Sequence, residues 1–259
     1  WEWHEELFHV AKEEGLICFS SPFDKTAVDM LEALDCPVYK IASFEITDIP
    51  LIEYAASKHK PMVLATGIAT EEDIQLAVEA CRRMGNNDIT VLKCTSSYPA
   101  PVEEANLCMI RDLAERFQVK SGLSDHTLGS VSPIVAVTQG ASMIEKHFIL
   151  YRSIGDPDCS FSMEEKDFAQ MVKDVRMAEL SLGKTTYELT EKMRGSRSAS
   201  RSLYVAEDMK AGEVITERNV RSVRPGFGLH PKYLKDILGK NVNRDLEKGT
   251  RFALEYVNG

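Results

Sequence analysis

The sequence predicts an α/β protein built on a parallel β/α barrel and followed by a small β-rich domain. Three observations carry this prediction. Apolar strand-like runs recur with helical patterns between them, polar residues gather at the C-terminal ends of those runs, and the composition changes after residue 182.

The strand-like runs are residues 16–19, 38–42, 62–65, 89–93, 119–123 and 143–148. Their starts lie 22 to 30 residues apart, which suits one strand, one helix and two short loops. Ahead of them, Trp3, Leu7, Phe8, Val10 and Ala11 follow a helical pattern. Thr70 followed by Glu71, Glu72 and Asp73 starts a helix that Gly85, Asn86 and Asn87 end. A last long helix is expected to begin at a capping box of Ser162 and Glu165 and to bury Phe168, Met171, Val175, Ala178 and Leu182.

Six parallel β/α units in a row allow an open doubly wound sheet or a (β/α)₈ barrel. The barrel accounts better for the polar residues at the strand ends: Ser20 and Ser21, Lys40 to Glu45, Thr66, Lys93 to Tyr98, Ser124 to His126, and Glu145 to His147. In a barrel these ends converge on one face. Six strands against the required eight lead to the expectation of a TIM barrel lacking its first two β/α units, on the order of 60 residues. Residues 1–182 are then strands three to eight. Residues 183–200, rich in Lys, Arg, Ser and Thr, are expected to be a linker, and 201–259 the β-rich domain. At about 60 residues that domain is near the size at which a partner surface is needed for stability.

A chain of 259 residues, 44% hydrophobic and 27% charged, can bury a sizeable core. The net charge of −9 argues against nucleic acid or an anionic membrane as the main partner. No apolar run approaches the roughly 20 residues of a membrane span, and no secretory signal is visible. Cys18, Cys36, Cys81, Cys94, Cys108 and Cys159 form no CxxC pair, so they read as buried thiols of a reduced cytoplasm.

Two histidines, in Gly122-Leu123-Ser124-Asp125-His126 and Ile144-Glu145-Lys146-His147-Phe148, end consecutive strands. The chain between them has room for one helix, so both strand ends fall on the same edge of a parallel sheet. A single strand-end histidine is usually satisfied structurally. Two at equivalent positions, each near a carboxylate, point to a divalent metal site or a catalytic one.

Several motifs then stand together. They are Tyr39-Lys40-Ile41-Ala42-Ser43-Phe44-Glu45, Ala65-Thr66-Gly67, Lys93-Cys94-Thr95-Ser96-Ser97-Tyr98-Pro99, the two histidine segments, and Val223-Arg224-Pro225-Gly226-Phe227-Gly228-Leu229-His230-Pro231. In order and spacing they resemble the sialic acid synthase family, the last segment matching its C-terminal antifreeze-like (SAF, β-clip) domain. Glu2-Trp3-His4, Cys18-Phe19-Ser20-Ser21-Pro22-Phe23 and the Phe227 to Pro231 tail look most like the pseudaminic acid branch. The N-acetylneuraminate and legionaminate branches fit less well.

The resemblance implies condensation of phosphoenolpyruvate with 2,4-diacetamido-2,4,6-trideoxy-L-altrose, giving pseudaminic acid and phosphate. It implies anion binding by Lys40 with hydroxyls from Ser21, Ser43, Thr66, Ser96 and Ser124, together with Tyr98. His126 and His147 are implied to hold a divalent metal, Mn²⁺ first and Mg²⁺ or Co²⁺ next, that polarises the sugar aldehyde. Glu45 is the expected base, and Asp158 of Gly155-Asp156-Pro157-Asp158 binds a metal-side water or the sugar. Asp125 and Glu145 could orient the histidines or act chemically. In the family the SAF domain caps the barrel of the other subunit in a domain-swapped homodimer, and the arginine matching Arg224 reaches an acetamido group.

Ser21 and Ser96 stand where the sialic acid branch has Thr and Asn, Ala65 where relatives often have Ser, and Tyr151 where they usually have Asp. Two rival readings are a metal-dependent aldolase or hydrolase on the same barrel and an inactive sugar-binding remnant. The family's first two strands carry a further Glu and Lys, so these 259 residues alone are expected to have little activity, while the full-length parent is expected to be an active synthase.

Overall fold

The computed structural model describes residues 1–155 and 157–258. The chain divides into two compact units, Trp1–Gly183 and from Lys184 onward.

The first unit alternates helices and strands. The helices are α1 (His4–Glu13), α2 (Lys25–Ala33), α3 (Ile49–Ala56), α4 (Glu71–Arg83), α5 (Met109–Phe117), α6 (Val131–Thr138) and α7 (Glu165–Leu182). The strands are β1 (Tyr39–Ile41), β2 (Met62–Ala65), β3 (Ile89–Cys94), β4 (Lys120–Asp125) and β5 (Ile144–Lys146). All pair in parallel and in sequential order. β2 is buried at every position and β3 at all but one, as suits strands covered on both faces. Tyr39, Ile41, Met62, Leu64 and Val91 meet Val28, Ile52 and Val78 of the helices in the main core.

The sheet is curled, and one contact proves it. Lys40 on β1 and Glu145 on β5, at opposite ends of the strand order, lie 3.2 Å apart. In a flat sheet four strand spacings would separate them by roughly 19 Å. The architecture is therefore the barrel-type curl and not the open doubly wound sheet, a partial TIM barrel in β/α order.

The helix starts follow from their caps. Asp24 accepts from Ala27 N, Asp48 from Leu51 N, and Thr70 with Asp73 forms a reciprocal capping box at the head of α4. Gly85, at φ 75°, follows α4 in the left-handed region expected at a helix end. Thr70→Ala removes the bond from Asp73 N to the Thr70 hydroxyl while leaving that from Thr70 N to the Asp73 carboxylate, and is expected to cost about 1 kcal/mol in urea unfolding. A loss below a few tenths would mean that Asp73 holds the helix end by itself.

Three expectations need correction. Residues 16–19 do not form a strand: pairing there reduces to a single parallel bridge between Ser20 and Tyr39, and Leu16 and Ile17 are exposed. A run at the sheet edge has β1 as its partner on one side, and Lys40 N reaches Ser20 O at only 3.4 Å, so a longer ladder is not sustained. The Ser162–Glu165 capping box does not form either. Ser162 is buried and donates to the Asp158 carbonyl, while α7 begins after an uncapped Glu164. Finally, α7 buries Met171 and Val175 with Phe168 and Ala178 partly covered, but Leu182 is exposed in its last turn.

In the second unit, Thr190 caps α8 (Glu191–Arg197) inside the segment expected to be a plain linker. β6 (Ser202–Val205) and β7 (Val220–Val223) pair antiparallel, and a short α9 (Leu234–Ile237) follows. Leu203, Val220, Ile237, Val242 and Phe252 centre a separate core. Among the described residues no helix is long and apolar enough to cross a membrane.

Candidate active site

The ends of β4 and β5 carry the site. Their register pairs Ser124 with Glu145 and Asp125 with Lys146, which leaves His126 and His147 one step beyond the ladder. Side chains alternate across a strand, so Ser124 and His126 share one face with Glu145 and His147, while Asp125 and Lys146 share the other. Contacts follow that rule. Ser124 Oγ donates to Glu145 Oε1 at 2.7 Å, the two imidazole centroids lie 5.2 Å apart, and Lys146 Nζ is 2.5 Å from Asp125 Oδ2.

The two imidazoles differ electrostatically. His126 Nδ1 is 2.9 Å from the Thr95 carbonyl. A carbonyl offers only lone pairs, so Nδ1 carries the hydrogen and Nε2 keeps a free lone pair. Burial opposes its protonation, but the Cys94 thiol, the Thr95 carbonyl and the Glu145 charge together hold His126 above its ordinary value. His147 is pushed down, first by burial and then by the His126 charge, with Asp158 and Glu145 opposing. Its Nδ1 lies 3.6 Å from Asp158 Oδ2 and its ring packs on Phe161. Tyr98 packs on His126 with centroids 4.4 Å apart and the rings tilted by 50°, and both burial and neighbouring negative groups raise its phenol.

Positive charge and hydroxyls border this pair. Lys40 faces Glu145, and Ser43, buried after β1, accepts from Gly67 N at 3.1 Å. A side chain at Gly67 would run into Ser96 Oγ and come within 2.7 Å of Ser43 Oγ, so glycine is what lets these hydroxyls close on the β2 end. Thr66 is spent on the Leu92 carbonyl. Glu45 Oε2 and Ser96 Oγ are buried without a hydrogen-bond partner. Since buried polar atoms are nearly always satisfied, two orphans by the same strand ends suit a polar ligand.

Lys40, Ser124, Glu145, His126, His147, Tyr98 and Asp158 are thus brought together, with Ser43 and Ser96 joined through Gly67. Ser21 is half-buried beside the Ser20 bridge, and Arg224 is exposed in the second unit. Asp156 lies outside the described residues.

Two participants were not anticipated. Cys94, grouped above with ordinary buried thiols, sits 3.9 Å from His126 Nδ1 and 3.5 Å from Ser43 Oγ. Burial raises its thiol, but hydrogen bonds from His126, Ser43 and Ser124 outweigh that and hold it below the usual value. Its register with Ser124 was the signal available in the motif. Cys108, by contrast, is exposed. The second participant is Lys146, whose placement between Glu145 and His147 reads as solvent-facing until alternation is applied.

Among the described residues no three His, Cys, Asp or Glu side chains converge as a full cage. Two imidazoles, each with Nδ1 against an oxygen and Nε2 left available, fit a cation held weakly by the protein with positions open to water and substrate.

A curled parallel sheet with cationic, hydroxyl and paired imidazole groups at its C-terminal edge has the active-site arrangement of a barrel enzyme. The NeuB family model matches residues 1–187 and the SAF domain model residues 200–251. The chain belongs to the NeuB family. It is 50% identical over 257 residues to the pseudaminic acid synthase of Helicobacter pylori, an alignment spanning 99% of this chain and 76% of that protein. Identity to the N,N'-diacetyllegionaminic acid synthase of Legionella pneumophila is 32%, over 98% of this chain and 73% of that one. The crystal structure of the Bacillus subtilis spore coat polysaccharide biosynthesis protein SpsE superposes with a TM-score of 0.69 at 30% identity, covering 100% of this chain and 78% of that chain.

Proposed function

We propose that this protein condenses phosphoenolpyruvate with 2,4-diacetamido-2,4,6-trideoxy-L-altrose to give pseudaminic acid and phosphate. The observation that carries the reading is the 50% identity to a pseudaminic acid synthase along nearly the whole chain, well above that to the legionaminic acid synthase. The site's chemistry supports it.

Lys40 binds the anionic end of phosphoenolpyruvate, with Ser21, Ser43, Ser96 and Ser124 as hydroxyl partners and Tyr98 closing one side, the Thr66 hydroxyl being given to the Leu92 carbonyl. His126 and His147 would hold a divalent cation, Mn²⁺ by preference, and it would supply Lewis-acid polarisation of the sugar aldehyde. The C3 carbon of phosphoenolpyruvate forms the new C–C bond to the aldehyde carbon, whose oxygen takes up a proton. Water adds at C2, and the C2–O bond to phosphate breaks. Glu45 takes the proton from that water, its unpartnered oxygen being free to do so. Asp158 orients the His147 side of the site. Residues 1–182 form the barrel part and 201–259 the SAF domain. In a domain-swapped homodimer Arg224 of the SAF domain reads an acetamido group. The setting is the cytoplasm, where phosphoenolpyruvate is made.

The test is phosphate release by the full chain, which should require both phosphoenolpyruvate and the sugar. Phosphate release from phosphoenolpyruvate without the sugar would favour the hydrolase reading, and consumption of the sugar without phosphoenolpyruvate the aldolase reading. Lys40→Met should raise KM for phosphoenolpyruvate by about 10- to 100-fold, the scale of about 1.5–3 kcal/mol for a hydrogen bond to a charged group. An unchanged KM would remove Lys40 from the anion site.

A further inference from the structure

We propose that the buried Asp125–Lys146 ion pair is a positioning strut that sets the separation of the His126 and His147 imidazoles and thereby the affinity of the site for a divalent cation. This rests on the reading of the two histidines as metal ligands given above.

Both side chains are 1% exposed, and they are direct register partners one residue before each histidine. Lys146 also donates to the Thr127 carbonyl, and Asp125 Oδ1 accepts from Thr127 N at 3.0 Å. His126 is therefore bracketed on both sides by residues tied to Lys146.

Nothing in the ladder does this otherwise. β4–β5 pairing ends at Asp125 and Lys146, and the histidine carbonyls turn to separate loops, His126 O accepting from Ala100 N and His147 O from Met163 N. Each histidine is thus tied to a different segment just where the two rings must converge. The strut lies on the opposite face of the strands, so it fixes the spacing without occupying the site.

Energetics point the same way. A fully buried ion pair contributes little net stability, and apolar residues of similar volume commonly do as well or better. What they cannot supply is a directional link of fixed length between two strand ends. Outer partners of metal ligands typically change metal affinity by about 10- to 100-fold when replaced.

The experiment measures Mn²⁺ binding calorimetrically in the substrate-free full chain, alongside thermal unfolding. The apolar pair Asp125→Leu/Lys146→Met should still fold, at a somewhat lower unfolding temperature because the Thr127 N–H and carbonyl lose their partners, yet bind Mn²⁺ about 10- to 100-fold more weakly. Asp125→Asn, nearly isosteric, serves if the apolar pair does not fold, with a loss of about 10-fold expected. A folded variant with undiminished affinity overturns the inference while the histidine reading stands. Absence of Mn²⁺ binding by the unsubstituted protein overturns the histidine reading, and the inference with it.

Discussion

Replacing His126 or His147 by alanine in the full chain is expected to lower metal-dependent turnover by about three powers of ten, while the protein stays folded. The reasoning starts from what each imidazole does in the structure. His126 is largely buried but commits only Nδ1, to the Thr95 carbonyl, and His147 stands beside Asp158 with its protonation disfavoured by burial and by His126. Two imidazole nitrogen donors on adjacent strands are what a weakly caged cation requires. Loss of one leaves a single protein ligand. Removing a Lewis acid from a carbonyl addition forfeits several kcal/mol, and about 4 kcal/mol corresponds to three powers of ten. Phosphate release measured over a Mn²⁺ titration checks this. If either alanine variant keeps turnover at saturating Mn²⁺ with an unchanged half-point, the histidines are structural.

The two variants should differ in one respect. His126 also contacts Cys94 and packs on Tyr98, so His126→Ala opens space in the wall of the site, whereas His147 has one face on Phe161 and is more exposed. His126→Ala should therefore unfold at the lower temperature of the two.

How much of this was legible in the sequence depends on the residue. Apolar runs and their spacing located β1 to β5, and the Thr70 signal located the head of α4, because buried parallel strands and capped helices leave local patterns. The pairing of His126 with His147 followed from β/α topology, which fixes which strand ends are neighbours. The Lys40–Glu145 contact did not, since it depends on how tightly the sheet curls, a property of the packed layers and not of any segment. The run at 16–19 failed for a related reason: its apolar pattern is real, but a strand exists only where a neighbour pairs with it along its length. Ser162 misled because the same hydroxyl that can cap a helix can equally donate to a nearby carbonyl, here that of Asp158. Lys146 was hidden because a lysine beside two polar residues reads as surface.

The spacing of β4 and β5 rests on a further position, Gly122, and Gly122→Ala is expected to destabilise the chain by about 3 kcal/mol. A methyl group there would overlap the Met143 carbonyl oxygen and lie 2.7 Å from Leu92 Cδ2. The leucine can rotate away. The carbonyl cannot, because it accepts from Leu123 N at 2.9 Å and belongs to the backbone leading into β5. Relief therefore means moving β5 away from β4, which stretches the Ser124–Glu145 bond and separates His126 from His147. Urea unfolding gives the cost. The background variant Leu92→Ala separates the two clashes, since Gly122→Ala should remain costly there if the backbone contact dominates. A penalty that vanishes in the Leu92→Ala background would place the strain on the leucine and leave the strand spacing untouched. Persistence of the penalty, together with weaker Mn²⁺ binding by any folded Gly122→Ala protein, would show that close approach of β4 and β5 is what brings the two imidazoles within reach of one ion.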